Sequence, residues 1–319
     1  MIQLEPFNDI FYKSCYYNSI ISVLNYYQLN ITPLMLFDIY YYDCQVNESC
    51  FKVQISNQEI MPVTDILHKM GLKLLTQCKE RPVISNIKEM LDLSLPVITW
   101  VDCYYLSYRK DTYHKEHWPH TLLFYDYFKE NDYLKIIEHD KKETLTYRCK
   151  SISATDVQAS YEGYLENFWD RENESFYSVD KTDKNQYDAI DLKKLYFENL
   201  KNHSYRIAAG LDTLKDLNTT IIDQISQDWL NNNKMQILIQ GVNNMLLIKS
   251  SLLYLYNRIL EPQHILVTNT QEIQKLIRLL RDVLMKCYYA GEINKAAIQT
   301  RLCFDSILQR ESECLFAIQ

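Results

Sequence analysis

Glycine is nearly absent from this chain. Only five occur in 319 residues, at positions 71, 163, 210, 241 and 291, and no two lie close together. A loop that cradles phosphate needs glycines at short spacing, because only a backbone without Cβ atoms lets successive N–H groups approach the anion. Neither G-x-G-x-x-G nor G-x-x-x-x-G-K-[ST] can be written anywhere in the sequence. Kinase, P-loop ATPase and dinucleotide-binding dehydrogenase readings therefore drop out. The G-x-S-x-G elbow of the α/β-hydrolases is missing too.

What remains is a chain rich enough in apolar residues (47%) for a sizeable core, in one large or two ordinary domains. The balance of 34 basic against 41 acidic residues gives a net charge of -7. Nucleic acid is not an expected partner, since that binding is driven by excess Lys and Arg. The opening MIQLEPFND carries no basic and apolar signal pattern, and even MLLIKSSLLYLY is interrupted by Lys249. A soluble, cytoplasmic protein without a membrane partner is the expectation. Nine scattered cysteines, an odd number with no C-x-x-C pair, argue for reduced thiols over a disulfide framework or zinc knuckle.

Periodicity divides the chain. Apolar Ile20, Ile21, Val23, Leu24 and Tyr27 predict a helix of about three turns after Cys15, and short helices are expected at 65–70 and 84–93. LPVITWVD (95–102) reads as a buried strand, and 121–127 with 133–138 as a hairpin closed by KEND. From about residue 155 helical signals take over: 160–170, 191–202, 210–229, 234–260, 271–289 and 293–309, with 170–188 read as a polar loop. The fold class is therefore α+β, with domains expected at 1–154 and 155–319, the second mainly helical. Lys275, Arg278, Arg281 and Lys286 would form a basic helix face, most simply a solvated one.

Three histidines punctuate HKEHWPH (114–120) just before the hairpin. A shared metal site with Cys103 is disfavoured, because the i, i+3, i+6 spacing and Pro119 do not suit one tight helical face. His120 abuts the apolar strand, and Cys15 stands at a helix start where unpaired N–H groups favour a thiolate. Asp140 follows the partner strand, where hairpin pairing returns a carboxylate towards His120; Asp132 and Glu138 are its neighbours in that role. A Cys–His–acid arrangement of this kind supports nucleophilic catalysis.

The order of that early Cys15, then PVITWVDCYYL (96–106), HWPHTLLFYDY (117–127) and IIEHD (136–140), resembles the papain-like N-terminal domain of the butirosin biosynthesis protein H family. A weaker likeness continues through IAAGLDTLKDL (207–217). That family consists of acyltransferases of specialised metabolism and is more distantly similar to peptidase domains that trim bacteriocin leaders. The resemblance implies a papain-like cysteine protease fold, with an N-terminal helix packed on an antiparallel sheet. It implies Cys15 as nucleophile, His120 as base and Asp140 as orienting acid, with Tyr104, Tyr105 and His117 near the cleft. Asn8 is the amide that could stand in the oxyanion hole. An acyl or aminoacyl group would pass from an acyl or peptidyl carrier protein to a small-molecule amine acceptor. No cofactor or metal is then needed beyond the phosphopantetheine that the carrier brings. Hydrolysis by the same residues, as a peptidase or thioesterase, is the alternative, and a non-catalytic scaffold is a second. The family often has Gly where Asp126 stands, so the hairpin geometry there is an open point.

Overall fold

A computed structural model describes residues 2–46, 51–76, 82–139, 141, 145–169, 174–182, 184–224, 233–291 and 293–319. Its contacts divide the chain into two compact units, Met1–Ile31 with Val63–Asp188, and Thr32–Pro62 with Ala189–Gln319. The fold is α+β: an N-terminal helix and antiparallel sheets precede a helical C-terminal region. The sequence-based boundary at 154/155 falls at the start of a helix that the contacts assign to the first unit.

The first unit is built on helix α1 (Cys15–Tyr26), which packs on strands β4 (Val97–Asp102) and β5 (Pro119–Tyr127). An unbroken run of α1 from Asn18 to Leu24 is buried. The polar members of that run are used. Asn18 accepts from the Tyr12 N–H at 2.8 Å and donates to the Ile10 carbonyl, while the Ser22 hydroxyl accepts from the Phe7 N–H. These bonds tie the segment before α1 to the helix itself. Lys13 turns the chain in with a left-handed backbone (φ 56°), and Ser14 is extended. Cys15 is thereby fixed as the first helical residue.

Six antiparallel strands form the sheet, which in chain order also includes β3 (Leu72–Leu75), β6 (Tyr133–His139), β7 (Tyr147–Ser153) and β8 (Phe176–Lys181). Their spatial order is β3-β8-β4-β5-β6-β7. The β-branched run of β4 is central and almost wholly buried, which fits its continuous apolar sequence. Strand β8 corrects the reading of 170–188 as a loop. FYSVDK buries Phe176, Ser178 and Val179 in the sheet, but its polar flanks and length of six residues hid it. The β5–β6 pairing shifts register between Phe124 and Asp126, a bulge that an L-residue accommodates. Asp126 there holds Lys135 at 2.8 Å.

Helices α3 (Val63–Lys69), α4 (Val83–Asp92) and α5 (Ala154–Asn167) complete this unit. Ser153 caps α5 by accepting from the Asp156 N–H at 3.1 Å, which starts the helix six residues earlier than its periodicity suggests.

The second unit contains a feature that the sequence reading missed. After the short α2 (Thr32–Met35), β1 (Asp38–Val46) and β2 (Phe51–Glu59) pair as a two-stranded antiparallel ribbon. The ribbon shares a core with the helices: Tyr42, Val53 and Ile55 pack with Leu214, Leu238, Val242 and Leu280. Those helices are α6 (Leu192–Asn202), α7 (Ser204–Gln224), α8 (Lys234–Ile259), α9 (Ile265–Ala290) and α10 (Ile293–Ile318). On α9, Lys275 pairs with Glu272 and Arg281 with Asp282, so the basic face is partly neutralised by its own helix. Among the described residues no helix is long and apolar enough to cross a membrane.

Candidate active site

Helix α1 and strand β5 bring Cys15 and His120 together. The two side chains hydrogen-bond, although 105 positions separate them. His120 is buried, and its Nε2 lies 2.9 Å from Glu138 Oε2. That bond leaves Nδ1 as the nitrogen available to the thiol. Continuing the β5–β6 register from Leu123 opposite Ile137 places Glu138 beside Leu122, within side-chain reach of His120. Glu138 is fully buried, and Arg109, also fully buried, donates to its other oxygen at 3.1 Å. Arg109 in turn is clamped by both oxygens of Asp111 at 3.1 Å. The result is a chain of charges, Asp111–Arg109–Glu138–His120–Cys15, that passes through buried Arg109 and Glu138 to the reactive sulfur.

The electrostatics follow from that chain. Burial pushes the Cys15 thiol up, but the charge and hydrogen bond of His120 and the Thr121 backbone N–H bring it below its ordinary value. Burial opposes charge on His120 as well. The Glu138 carboxylate and the Cys15 thiolate overcome this and raise the imidazole to about 10. Glu138 also resists burial: His120, His139 and Arg109 hold it below the usual carboxylate range. Each member of the chain is thus shifted towards its charged form: thiolate, imidazolium and carboxylate. Cys44 and Cys314 move the opposite way, burial pushing both up to about 12.

The sulfur faces a cavity of about 320 Å³. Its walls include Phe11, Trp100, Trp118 and Leu145, with His120 and His139 beside the nucleophile. Trp100 is held between Tyr16 and Tyr164, stacked at 6.0 and 5.6 Å, so this wall is rigid.

The remaining sequence-derived candidates go to different places. Asp140 lies outside the described residues; the carboxylate that bonds His120 is Glu138. Asn8 spends its amide on the backbone of β7, accepting from the Tyr147 N–H at 2.8 Å and donating to the Tyr147 carbonyl at 3.1 Å. That pair of bonds ties the Asn8 side chain to β7, using its oxygen and one of its two N–H donors. His117 pairs with buried Asp102 at 2.5 Å and stacks on Tyr104 at 4.3 Å, with Tyr105 at its edge. These residues shape the loop ahead of β5 and are separate from the charge chain. His114 packs on Tyr104 and Tyr113. The three histidines of HKEHWPH therefore take three different sets of partners.

His120, Glu138 and His139 place three ligand-type atoms within 4.8 Å of one another. The group is poorly suited to a cation, because both Glu138 oxygens are already engaged, one of them by a guanidinium. Arg109, Asp111 and His139 were not found from sequence. Arg109 sits in a loop without periodicity, and only the buried charge of Glu138, itself inside an apolar strand, signals that a cation must lie nearby.

Residues 14–139 match the family described as Butirosin biosynthesis protein H, N-terminal. The likeness to the butirosin biosynthesis protein H family is confined to that segment. The match opens one residue before Cys15 and closes one residue after Glu138, so it spans the nucleophile, His120 and the buried carboxylate. No curated protein matches the chain.

Proposed function

We propose that this chain is a biosynthetic cysteine acyltransferase, acting in antibiotic assembly as the family description suggests, with Cys15, His120 and Glu138 as its catalytic set. The observation that carries the reading is the Cys15–His120 pair, hydrogen-bonded at the N-terminus of α1 and oriented by a buried carboxylate. A papain-like arrangement of this kind performs acyl transfer through a thioester on the enzyme.

The acyl donor is a carrier-protein thioester. The Cys15 thiolate attacks its carbonyl carbon, the new C–S bond forms, and the carrier's C–S bond breaks. The departing thiolate takes the His120 proton and leaves as a thiol. An amine then attacks the acyl-enzyme, forming a C–N bond as the Cys15 C–S bond breaks. Neutral His120 accepts the amine's surplus proton, and the thiolate–imidazolium pair is restored. The N–H groups of the first turn of α1, that of Cys15 among them, supply positive potential for the oxyanion. Glu138 keeps the imidazole's Nδ1 turned to sulfur, and Arg109 keeps Glu138 ionised. The aromatic cavity favours an uncharged acyl portion and excludes water from the thioester.

Incubation with an acyl N-acetylcysteamine thioester and intact-mass analysis tests the reading. The wild-type chain is expected to gain one acyl group at Cys15, and Cys15→Ala none. Undiminished acylation of Cys15→Ala would sink the proposal.

A further inference from the structure

Two imidazoles stand at this cleft, and the mechanism above uses one. His139 ends β6, lines the same cavity as Cys15 and His120, and sets its ring perpendicular to that of His120 at 4.7 Å. Its Nδ1 lies 2.6 Å from the Lys141 carbonyl, which can only accept, so Nδ1 carries the hydrogen. Nε2 is left with the lone pair, 3.7 Å from Glu138 Oε1.

Amide formation needs a second base. An alkyl amine, with a pKa near that of lysine at about 10.4, arrives at neutral pH as an ammonium ion. That ion carries two protons more than the amide nitrogen keeps on bond formation. His120 accepts one of them when it returns to imidazolium. The other must leave before the nitrogen has a lone pair with which to attack. Hydrolysis makes no such demand, because water already has its lone pairs.

We propose that His139 is this second base, and that the acceptor of this enzyme is an amine that enters the cleft protonated. The inference rests on the acyltransferase reading and names the kind of acceptor. The groups around His139 fit the task. Glu138 faces Nε2 from the same strand, His120 faces it from β5, the Tyr147 ring packs at 5.3 Å from β7, and Arg109 acts from the loop before β5. Burial first, and then the positive His120 and Arg109, hold His139 below its ordinary value against the pull of Glu138. Two adjacent imidazoles are thus pushed apart, one charged and one neutral, as acid and base roles require. The ammonium gives its proton to Nε2, where Glu138 stabilises the cation formed. The amine attacks, and His139 later releases the proton to solvent. The balance is thioester plus ammonium giving amide, thiol and one proton.

His139→Gln keeps a donor for the Lys141 carbonyl but is not a base. Wild type and H139Q are compared with an N-acetylcysteamine thioester as donor and two acceptors, an alkyl amine and hydroxylamine, which is mostly unprotonated at pH 7. Starting from the preformed acyl-enzyme, H139Q is expected to lose about 10²-fold in amide formation with the alkyl amine at pH 7. Transfer to hydroxylamine should be nearly unchanged, and the alkyl-amine defect should shrink as pH rises and the amine deprotonates in solution. Equal losses with both acceptors, or none with either, would overturn the role of His139 while leaving acyl transfer intact. A wild-type acyl-enzyme that only hydrolyses would remove the amine acceptor and this inference with it. No acyl-enzyme at all would overturn the underlying reading.

Discussion

At Cys15 the deciding quantity is the fraction of thiolate at neutral pH. An ordinary thiol near pKa 8.5 is only about 3% ionised at pH 7. Cys15 is depressed, so its contribution to stability is present above the unfolded value and lost as pH falls through the folded one. His120 is raised to about 10, so its contribution is present below its unfolded value near 6.5 and lost as pH rises through about 10. The ion pair is complete between these two folded-state limits. Iodoacetamide should therefore alkylate Cys15 faster at pH 7 than it does an ordinary thiol, with the midpoint of the rate profile below that of a free thiol. His120→Gln removes the largest influence opposing burial at the thiol, and alkylation at pH 7 should drop. Glu138→Gln should move the midpoint upward by a smaller step, since the imidazolium loses its buried counter-charge. A wild-type profile indistinguishable from that of a free thiol would contradict the charge chain. Of this chain, the sequence made Cys15 and His120 legible through spacing and position. Arg109 was not, because a long-range ion pair leaves no local pattern.

Among elements, legibility tracked continuity of the apolar pattern. β4 and the β5–β6 hairpin were readable because each is a long β-branched or alternating run with a turn signal. The β1–β2 ribbon was not, since DIYYYDCQV mixes tyrosines with charges and its inward positions are defined only by helices more than 150 residues later. Two of the scarce glycines explain that packing. A methyl group at Gly241 of α8 would sit 2.0 Å from the Val53 carbonyl oxygen of β2. One at Gly210 of α7 would sit 2.7 Å from the Tyr42 nitrogen of β1. Helix propensity alone predicts that Gly241→Ala gains about 1 kcal/mol. Crowding against a strand backbone, which cannot swing aside, should outweigh this and give a net loss of about 1–3 kcal/mol. Denaturant unfolding of the variant measures the sign, and a stabilised Gly241→Ala would show that the helix does not press on the ribbon.

At the scale of the whole molecule, the path of the chain matters more than its order of domains. Cys15, Arg109, His120, Glu138 and His139 all lie in the first unit, which suggests that a fragment ending near Asp188 would suffice for chemistry. The contacts argue against this. The chain leaves the first unit at Ile31, gives Thr32–Pro62 to the second, and returns at Val63. Cutting after Asp188 would strip α7 and α8 from the ribbon and expose Tyr42, Val53 and Ile55, which are now buried. A two-stranded ribbon is marginal on its own, and its open edges invite pairing with other copies. The fragment 1–188 should therefore associate and be cut by protease between residues 38 and 59, whereas co-expression with 189–319 should restore a soluble, resistant pair. A monomeric fragment that resists protease across the ribbon would show that the helices are dispensable to it. The dependence also supplies a reason for the long helical half. The family match that ends at residue 139 covers Cys15, His120 and Glu138, but the residues in the middle of that match are held by helices that lie beyond it.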